Sequence, residues 1–524
     1  MKVLFAYRSD VDLRGGAAIM LADLADALRA EGVEVDISTD LYPDPTGYDA
    51  VQVFNIWLPH TAIQQLRHLR AFDIPIIWNP IYSHWAEVAW ARASIVGIFG
   101  IDDLVERRRY LDAFTRGDLD VSGLTRWRFN EIIPGFHDLL NEMLDCVDHV
   151  LVFSSREMQM MSQVTRLTHK PFTVVPHGVS LGHVDAADAD AFRRHAGIEG
   201  EFALCVGTLN AHKNQLMIVE ALKGTGVKLV LVGSCFEPDY LETCLREGGD
   251  DVVHLDHLPR ELAAGAYKAA SVHVLASFAE GAAQVNLEAG AAGCPIVVSN
   301  RSSEFEYFGD LAYYCDPTDP ESIRRATLAA LDGRRSDPHR WAALSSRVRE
   351  HTWERAGRVV LGAYERAVAG RAGLKRAKAR ELAGIESKAI LVAVSVEEVL
   401  ERPELIDVWC SAFGPGDPLT LALHAGDLTS EEAVARLMAS PAARALEADE
   451  SPDLLVVTAA SELLLAACDC VYGERFAEES DAARFDQNEL AELRAHCDRL
   501  RARAWETVAP VAELPASRSF GLAA

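Results

Sequence analysis

The chain has 524 residues, 49% hydrophobic, 25% charged and 8% aromatic, which excludes a disordered or fibrous protein. That length is too great for one ordinary core and predicts roughly two to four domains. Against 51 Lys and Arg stand 78 Asp and Glu, and the net charge of −27 repels nucleic acid and anionic membrane at long range. A polyanionic partner would need a local basic patch. The densest one combines Arg107, Arg108 and Arg109 with Arg116, Arg126 and Arg128, interleaved with Tyr110, Phe114, Trp127 and Phe129. It reads as a solvated helix face.

The chain opens on "MKVLFAYRSD", an apolar run too short and too quickly charged for a signal peptide or a membrane span, so it reads as a first strand. A doubled glycine, Gly15 and Gly16, then opens a helix, "AIMLADLADALRAEG", which ends on Gly32. "YDAVQVFNI" and "IPIIWN" continue the series as strands, and a helix-rich insertion follows between about 95 and 140. The alternation resumes at "DHVLVFSS" and restarts with "FALCVGTL", "VKLVLVGS", "DVVHLD", "SVHVLAS" and "PIVVSN". Strand alternating with helix implies parallel sheets, and the two series predict an α/β protein with two doubly wound, Rossmann-like domains facing a crevice. The ten cysteines are scattered, and the one close pair, Cys468 and Cys470, has neither zinc nor thioredoxin spacing. Free thiols in a reducing cytoplasm are expected.

In such sheets ligands bind at the carboxyl ends of the strands, so the residues there carry the functional information. After the first strand, the helix start at Gly15 and Gly16 offers bare amides to a phosphate or a sugar hydroxyl. After "FALCVG", the stretch "TLNAHKNQ" puts Lys213 on the first turn of the next helix, where its ammonium and the helix dipole face the same anion. After "SVHVLAS" comes Glu280, and Glu288 lies about two turns along the following helix.

As a set, these residues resemble the retaining nucleotide-sugar glycosyltransferases of the two-Rossmann-domain (GT-B) fold, the glycogen-synthase-like family 4 superfamily. A glycine-rich first loop, a Lys-Asn pair opening a second-domain helix and two glutamates with seven residues between them occur there in this order. Here they are Gly15-Gly16, Lys213-Asn214 and Glu280/Glu288, and "HTWERAGRVVLGAYERAV" resembles the family's closing helix, which crosses back to the first domain. The resemblance implies an acceptor-side domain over 1–176, a donor domain over 177–352 and a closing helix over 353–370.

It also implies roles. Glu288 accepts hydrogen bonds from the ribose hydroxyls, Glu280 lies beside the donor sugar, and the amides of Gly281, Ala282 and Ala283 approach the sugar hydroxyls. Lys213 and the Gly15-Gly16 turn stabilise the departing diphosphate without a metal or a cofactor, as preorganised donors do for a developing anion. Asn214, Gly233 and, in "HLDHLPRE", His257 and Leu258 complete the donor contacts. Front-face attack then retains the anomeric configuration. Two positions depart from the family. Thr208 stands where it usually has an arginine, and Asn79-Pro80, followed by His84, stands where it commonly has a histidine, so Asn79 or His84 is expected to line the site. His177 in "VVPHGVS" is expected to support the hinge. The expected partners are a nucleotide-sugar donor and a hydroxyl acceptor of unspecified class. A catalytically silent sugar-nucleotide-binding or scaffold protein of the same fold is the second reading.

The remaining residues, 371–524, repeat the order of the second series. "DPLTLALH", "DLLVVTA", "SELLLAACD" and "CVYGE" follow one another as "VKLVLVGS", "DVVHLD", "ELAAGAYKAAS" and "VHVLASFAEG" do. Laying "ILVAVSVEEVLER" on "ALCVGTLNAHKN" sets Glu401 opposite Lys213, and an acid there repels a diphosphate. A degenerate Rossmann-like module is expected, with no donor site, serving interaction or homo-oligomerisation, and "NELAELRAHCDRLRARAW" as a docking helix.

Overall fold

The computed structural model describes residues 1–8, 16–56, 59–83, 85–119, 135–235, 237–281, 283–301, 303–387, 389–446, 452–476 and 482–508. Gly15, His84, Ala282 and the Arg126–Phe129 part of the basic patch lie outside the described residues. The chain forms two compact units, Met1–Tyr364 and Glu365–Ala524.

The first unit contains two six-stranded sheets. One is built from β1 (Lys2–Ala6), β2 (Glu34–Ser38), β3 (Ala50–Phe54), β4 (Ile76–Asn79), β5 (His149–Val152) and β6 (Phe172–Val174), in the order β2-β1-β3-β4-β5-β6. The other comprises β7 (Phe202–Val206), β8 (Lys228–Val232), β9 (Val252–Leu255), β10 (Val272–Leu275), β11 (Ile296–Ser299) and β12 (Tyr313–Cys315), in the order β12-β11-β10-β7-β8-β9. All their pairings are parallel. Helices cover both faces, so β3, β4, β5 and β10 are buried at every residue and read as unbroken apolar runs. The strands that the apolar runs do not announce, β2, β6 and β12, are short and half-exposed at sheet edges.

In the second sheet the chain builds outward through β7, β8 and β9 and then returns to lay β10 on the other side of β7. The crevice opens where that direction reverses, between the carboxyl ends of β7 and β10.

The helix-rich insertion begins earlier than expected, with helices Trp85–Phe99, Leu104–Arg116 and Phe136–Cys146 between β4 and β5. Its second helix is capped by Asp103, which accepts from the amides of Val105 and Glu106, and stops at Gly117 in the left-handed region (φ 76°). The chain order assigns these helices to the first domain, yet the first two bury their apolar face in the core of the second. Arg107 is correspondingly not solvated: its Nη1 pairs with Glu247 Oε2 at 2.8 Å, with side chains 11% and 10% exposed. Arg108, Arg109 and Arg116 do face outward.

The closing helix starts at Trp353 as expected but runs to Ala383 rather than ending near 370. Over its first turns it returns to the first domain. Gly357 lies so close to Ala27 that a Cβ would sit 3.2 Å from the alanine Cβ, Arg358 pairs with Glu31 at 3.1 Å, and Tyr364 donates to Gln52.

The second unit carries β13 (Ile390–Ser395), β14 (Leu419–His424), β15 (Asp453–Val457), β16 (Cys470–Tyr472) and β17 (Ala483–Phe485), all parallel, in the order β15-β14-β13-β16-β17. This is the order of β9-β8-β7-β10-β11, so the repeat seen in sequence is a repeat of topology. The residue facing the reversal point is not Glu401, which is exposed, but Glu398, whose side chain is 6% exposed. Glu398 accepts from the amides of Glu474 (2.7 Å) and Arg475 (3.1 Å), and Arg402 pairs with both Glu398 (3.3 Å) and Asp486 (3.2 Å). Gly473 makes room for this carboxylate, since a Cβ there would stand 2.6 Å from its Oε2.

Candidate active site

β7 ends at Val206, and the chain turns through Gly207 to Asn214 before the helix Gln215–Leu222. The turn is tight. Gly233, after β8, packs so closely that a Cβ would lie 2.2 Å from the Gly207 carbonyl oxygen, so this glycine serves the approach of two backbones. The Thr208 carbonyl accepts from the Gln215 side-chain Nε2 at 3.1 Å. The turn presents Lys213 to the crevice, its amide held by Asn210 Oδ1 at 3.0 Å.

Lys213 Nζ bonds Glu280 Oε1, which joins the carboxyl ends of β7 and β10. The two side chains are 20% and 12% exposed. Burial alone would push the Glu280 carboxyl up, but the charge of Lys213, with His212 and the bonds from Lys213 and Ser277, outweighs it and holds the group below its ordinary range. His212 is pushed down by burial and by Lys213 beside it, and its ring donates to the Ala279 carbonyl.

Glu288 sits farther along the helix Gln284–Ala291, and Tyr267 on the helix Arg260–Ala269 donates to its Oε2 at 3.1 Å. Burial raises its carboxyl to about 7, with the Tyr267 bond and the nearby Arg260 charge acting the other way. Arg260 also reaches across the crevice to Asp23 on the first helix, with contacts of 2.7 and 3.1 Å, and Ser180 donates to the same carboxylate at 2.8 Å. His257 is exposed and Leu258 buried, at the mouth of this region. Gly16 opens the first helix with open space where a Cβ would lie. Gly281 is half-buried after Glu280, and Ala283 precedes the helix carrying Glu288.

Two expected ligand contacts prove to be braces. Asn214 is fully buried in the left-handed region (φ 66°) and gives its amide hydrogens to the carbonyls of Ala276 and Pro317, each at 2.8 Å. Asn79 is buried and donates to the Leu151 carbonyl at 2.7 Å, tying β4 to β5 rather than lining the crevice. His177 lies between Phe153 and Trp353, ring centroids 5.1 and 4.9 Å away, and burial lowers it to about 4.

Glu304 is a buried acid close enough to Glu280 to feel its charge, and the motif reading does not include it. It follows β11 much as Glu280 follows β10, is 1% exposed, and accepts from Asn286 Nδ2 at 2.8 Å. Burial, with the charge of Glu280, raises it to about 8. Applying the carboxyl-end rule to the next strand would have found it. Glu157, buried under the amides of Tyr82 (2.6 Å) and Phe153 (2.7 Å), is raised to about 7, again by burial.

Both carboxyls keep their protons in the folded chain at pH values where an unfolded glutamate has lost them. Their stability contribution is therefore fully present below about pH 4.5 and is lost as pH rises towards 7 to 8, roughly 3 kcal/mol for Glu157 and roughly 5 kcal/mol for Glu304. Thermal unfolding between pH 5.5 and 8.5 should show this decline, and Glu304→Gln should make it shallower, the raised Glu157 and Glu288 keeping the rest; an unchanged slope in the variant would remove Glu304 from the account. Among the described residues, no group of three His, Cys, Asp or Glu is arranged to hold a metal, and no helix is long and apolar enough to cross a membrane.

Comparison with known proteins divides the chain between residues 183 and 188. The pattern of Glycosyltransferase Family 4 matches residues 14–183, and that of Glycosyl transferases group 1 matches residues 188–345. An uncharacterized glycosyltransferase of Methanocaldococcus jannaschii is 26% identical over 345 residues, 59% of this chain and 83% of that one. The D-inositol 3-phosphate glycosyltransferase of Acidothermus cellulolyticus is 24% identical over 406 residues, 68% of this chain and 87% of that one. Among solved structures, sucrose-phosphate synthase from Thermosynechococcus elongatus superposes with a TM-score of 0.52 at 18% identity, over 71% of this chain and 100% of that one, a likeness of fold. With two Rossmann-like sheets, a crevice at their reversal point and both family patterns in order, the chain belongs to the glycosyltransferases of the GT-B fold, family 4-like.

Proposed function

We propose that the protein is a retaining transferase that moves a sugar from a nucleotide-sugar donor to a hydroxyl acceptor. The observation that carries this is the Lys213–Glu280 pair at the reversal point between β7 and β10, with Glu288 farther along the adjoining helix. A leaving nucleoside diphosphate develops charge at its phosphates, and a lysine fixed in a half-buried crevice stabilises that charge without reorganising. Glu280 holds the ammonium in place until the diphosphate takes it over, and then faces the donor sugar. Glu288, as a carboxylate, suits the vicinal diol of a ribose. Retention follows from attack on the face the diphosphate leaves, where a phosphate oxygen takes the acceptor proton and no protein nucleophile is required.

The second unit contributes no donor contact on this reading, because Arg402 and the amides after β16 already occupy its Glu398 carboxylate. Its role is then interaction, including self-association, and ten unpaired cysteines accord with a cytoplasmic setting.

A thermal-shift panel of nucleotides and nucleotide sugars tests the proposal. A donor present at about a thousand times its Kd stabilises the fold by about 4 kcal/mol. If no nucleotide raises the melting temperature, the donor reading fails.

A further inference from the structure

The helices Trp85–Phe99 and Leu104–Arg116 form a hairpin that leaves the first sheet after β4 and buries its apolar face in the second domain. Ile95, Ile98, Leu111 and Phe114 share one core with Phe278 and Ala279, the two residues before Glu280. Trp90 stacks on Phe114 at 4.9 Å, and Phe114 meets Phe278 edge-on at 6.3 Å. Polar contacts fasten the hairpin along its length. Arg92 pairs with Glu237 at 2.6 Å, Arg107 with Glu247 at 2.8 Å, and Thr115 donates to the Thr318 carbonyl at 2.9 Å.

On its other side the Phe278–Glu280 turn is held by the loop that carries Lys213. Phe278 donates its amide to the His212 carbonyl at 3.1 Å, and the His212 ring donates to the Ala279 carbonyl. The turn thus lies between Phe114 and the lysine loop. We infer that the hairpin is a strap from the first domain that sets the Phe278–Glu280 turn, and with it the Lys213–Glu280 pair, and that Phe114 is its positioning residue.

The inference rests on the transfer reading above. Placement matters there because a misplacement of about 1 Å in a catalytic constellation costs about a hundredfold in rate. Tyr267 and the residues flanking Glu288, Leu287 and Ala289, belong to a second core, and only the first turn of the Glu288 helix, through Val285, touches the hairpin's core, so nucleotide grip should depend on the strap less than turnover does.

Phe114→Ala in the full chain tests the strap. Expected are a fall in kcat of about tenfold or more, nucleotide affinity by calorimetry within about twofold, and faster hydrogen exchange in a peptide covering 277–283. Phe114→Leu, which keeps most of the buried volume, should recover most of the turnover and carries the same measurements if the alanine variant does not fold. Unchanged exchange over 277–283 overturns the strap. Faster exchange with unchanged kcat overturns the positioning role, and an equal loss of kcat and nucleotide affinity marks general loosening and overturns it as well. If the unaltered chain transfers no sugar from any donor, the proposed function fails, while the exchange measurement still decides whether the hairpin holds the turn.

Discussion

Lys213→Ala should lower turnover by about two to three orders of magnitude, the effect of removing one preorganised donor from a developing anion. Its pairing with Glu280 adds a second consequence. With the ammonium gone, burial acts on Glu280 with less opposition, and a carboxyl now held low is pushed up instead. Part of any loss of stability in the variant therefore belongs to an acid left without its partner. The double variant Lys213→Ala/Glu280→Gln removes that acid and should regain stability without regaining turnover. Steady-state kinetics on folded protein, with thermal unfolding alongside, separate the two effects. Turnover within a few-fold of the unaltered chain would take the lysine out of the mechanism.

Glu288→Ala should weaken nucleotide binding by about 1.5–3 kcal/mol, the scale of hydrogen bonds to a charged group. The same residue predicts a pH dependence. Its carboxyl is raised to about 7, and the ribose contact uses the carboxylate, so affinity should fall below pH 7 by up to about tenfold per unit and level off above it. In Glu288→Ala that dependence should vanish. Calorimetry at pH 6, 7 and 8 on both proteins checks the pair of statements, and equal affinities at pH 8 would end the ribose assignment.

Much of this site was legible before any fold was known. β7, β8, β10 and β11 are short apolar runs because helices cover both faces of a parallel sheet, and such runs can be counted. Lys213, Glu280 and Glu288 follow from reading what stands just after them. Other features leave no mark in a linear pattern. An asparagine is written the same way whether its amide meets a sugar or a carbonyl, so Asn79 and Asn214 became braces only when Leu151, Ala276 and Pro317 were found beside them. The overlay that chose Glu401 assumed a loop after β13, whereas the helix Val396–Glu401 starts at once and brings Glu398 to the crevice.

The alternation of strand and helix, the two-sheet plan with its worn third copy, and the acids and lysine at the strand ends can all be read along the chain. Each of these depends on local periodicity or on residues adjacent in the chain. Which surfaces meet cannot be read that way, because it depends on residues far apart in the chain. The hairpin's apolar face carries no address, and it settled on the second domain because Phe278, Leu209 and Met217 complete a core there. The same holds for charge. Arg107 and Arg108 are neighbours in one basic run, yet one is buried against Glu247 and the other pairs with Asp112 in solvent, since helical rotation and the packed partner, not the residue type, set their surroundings.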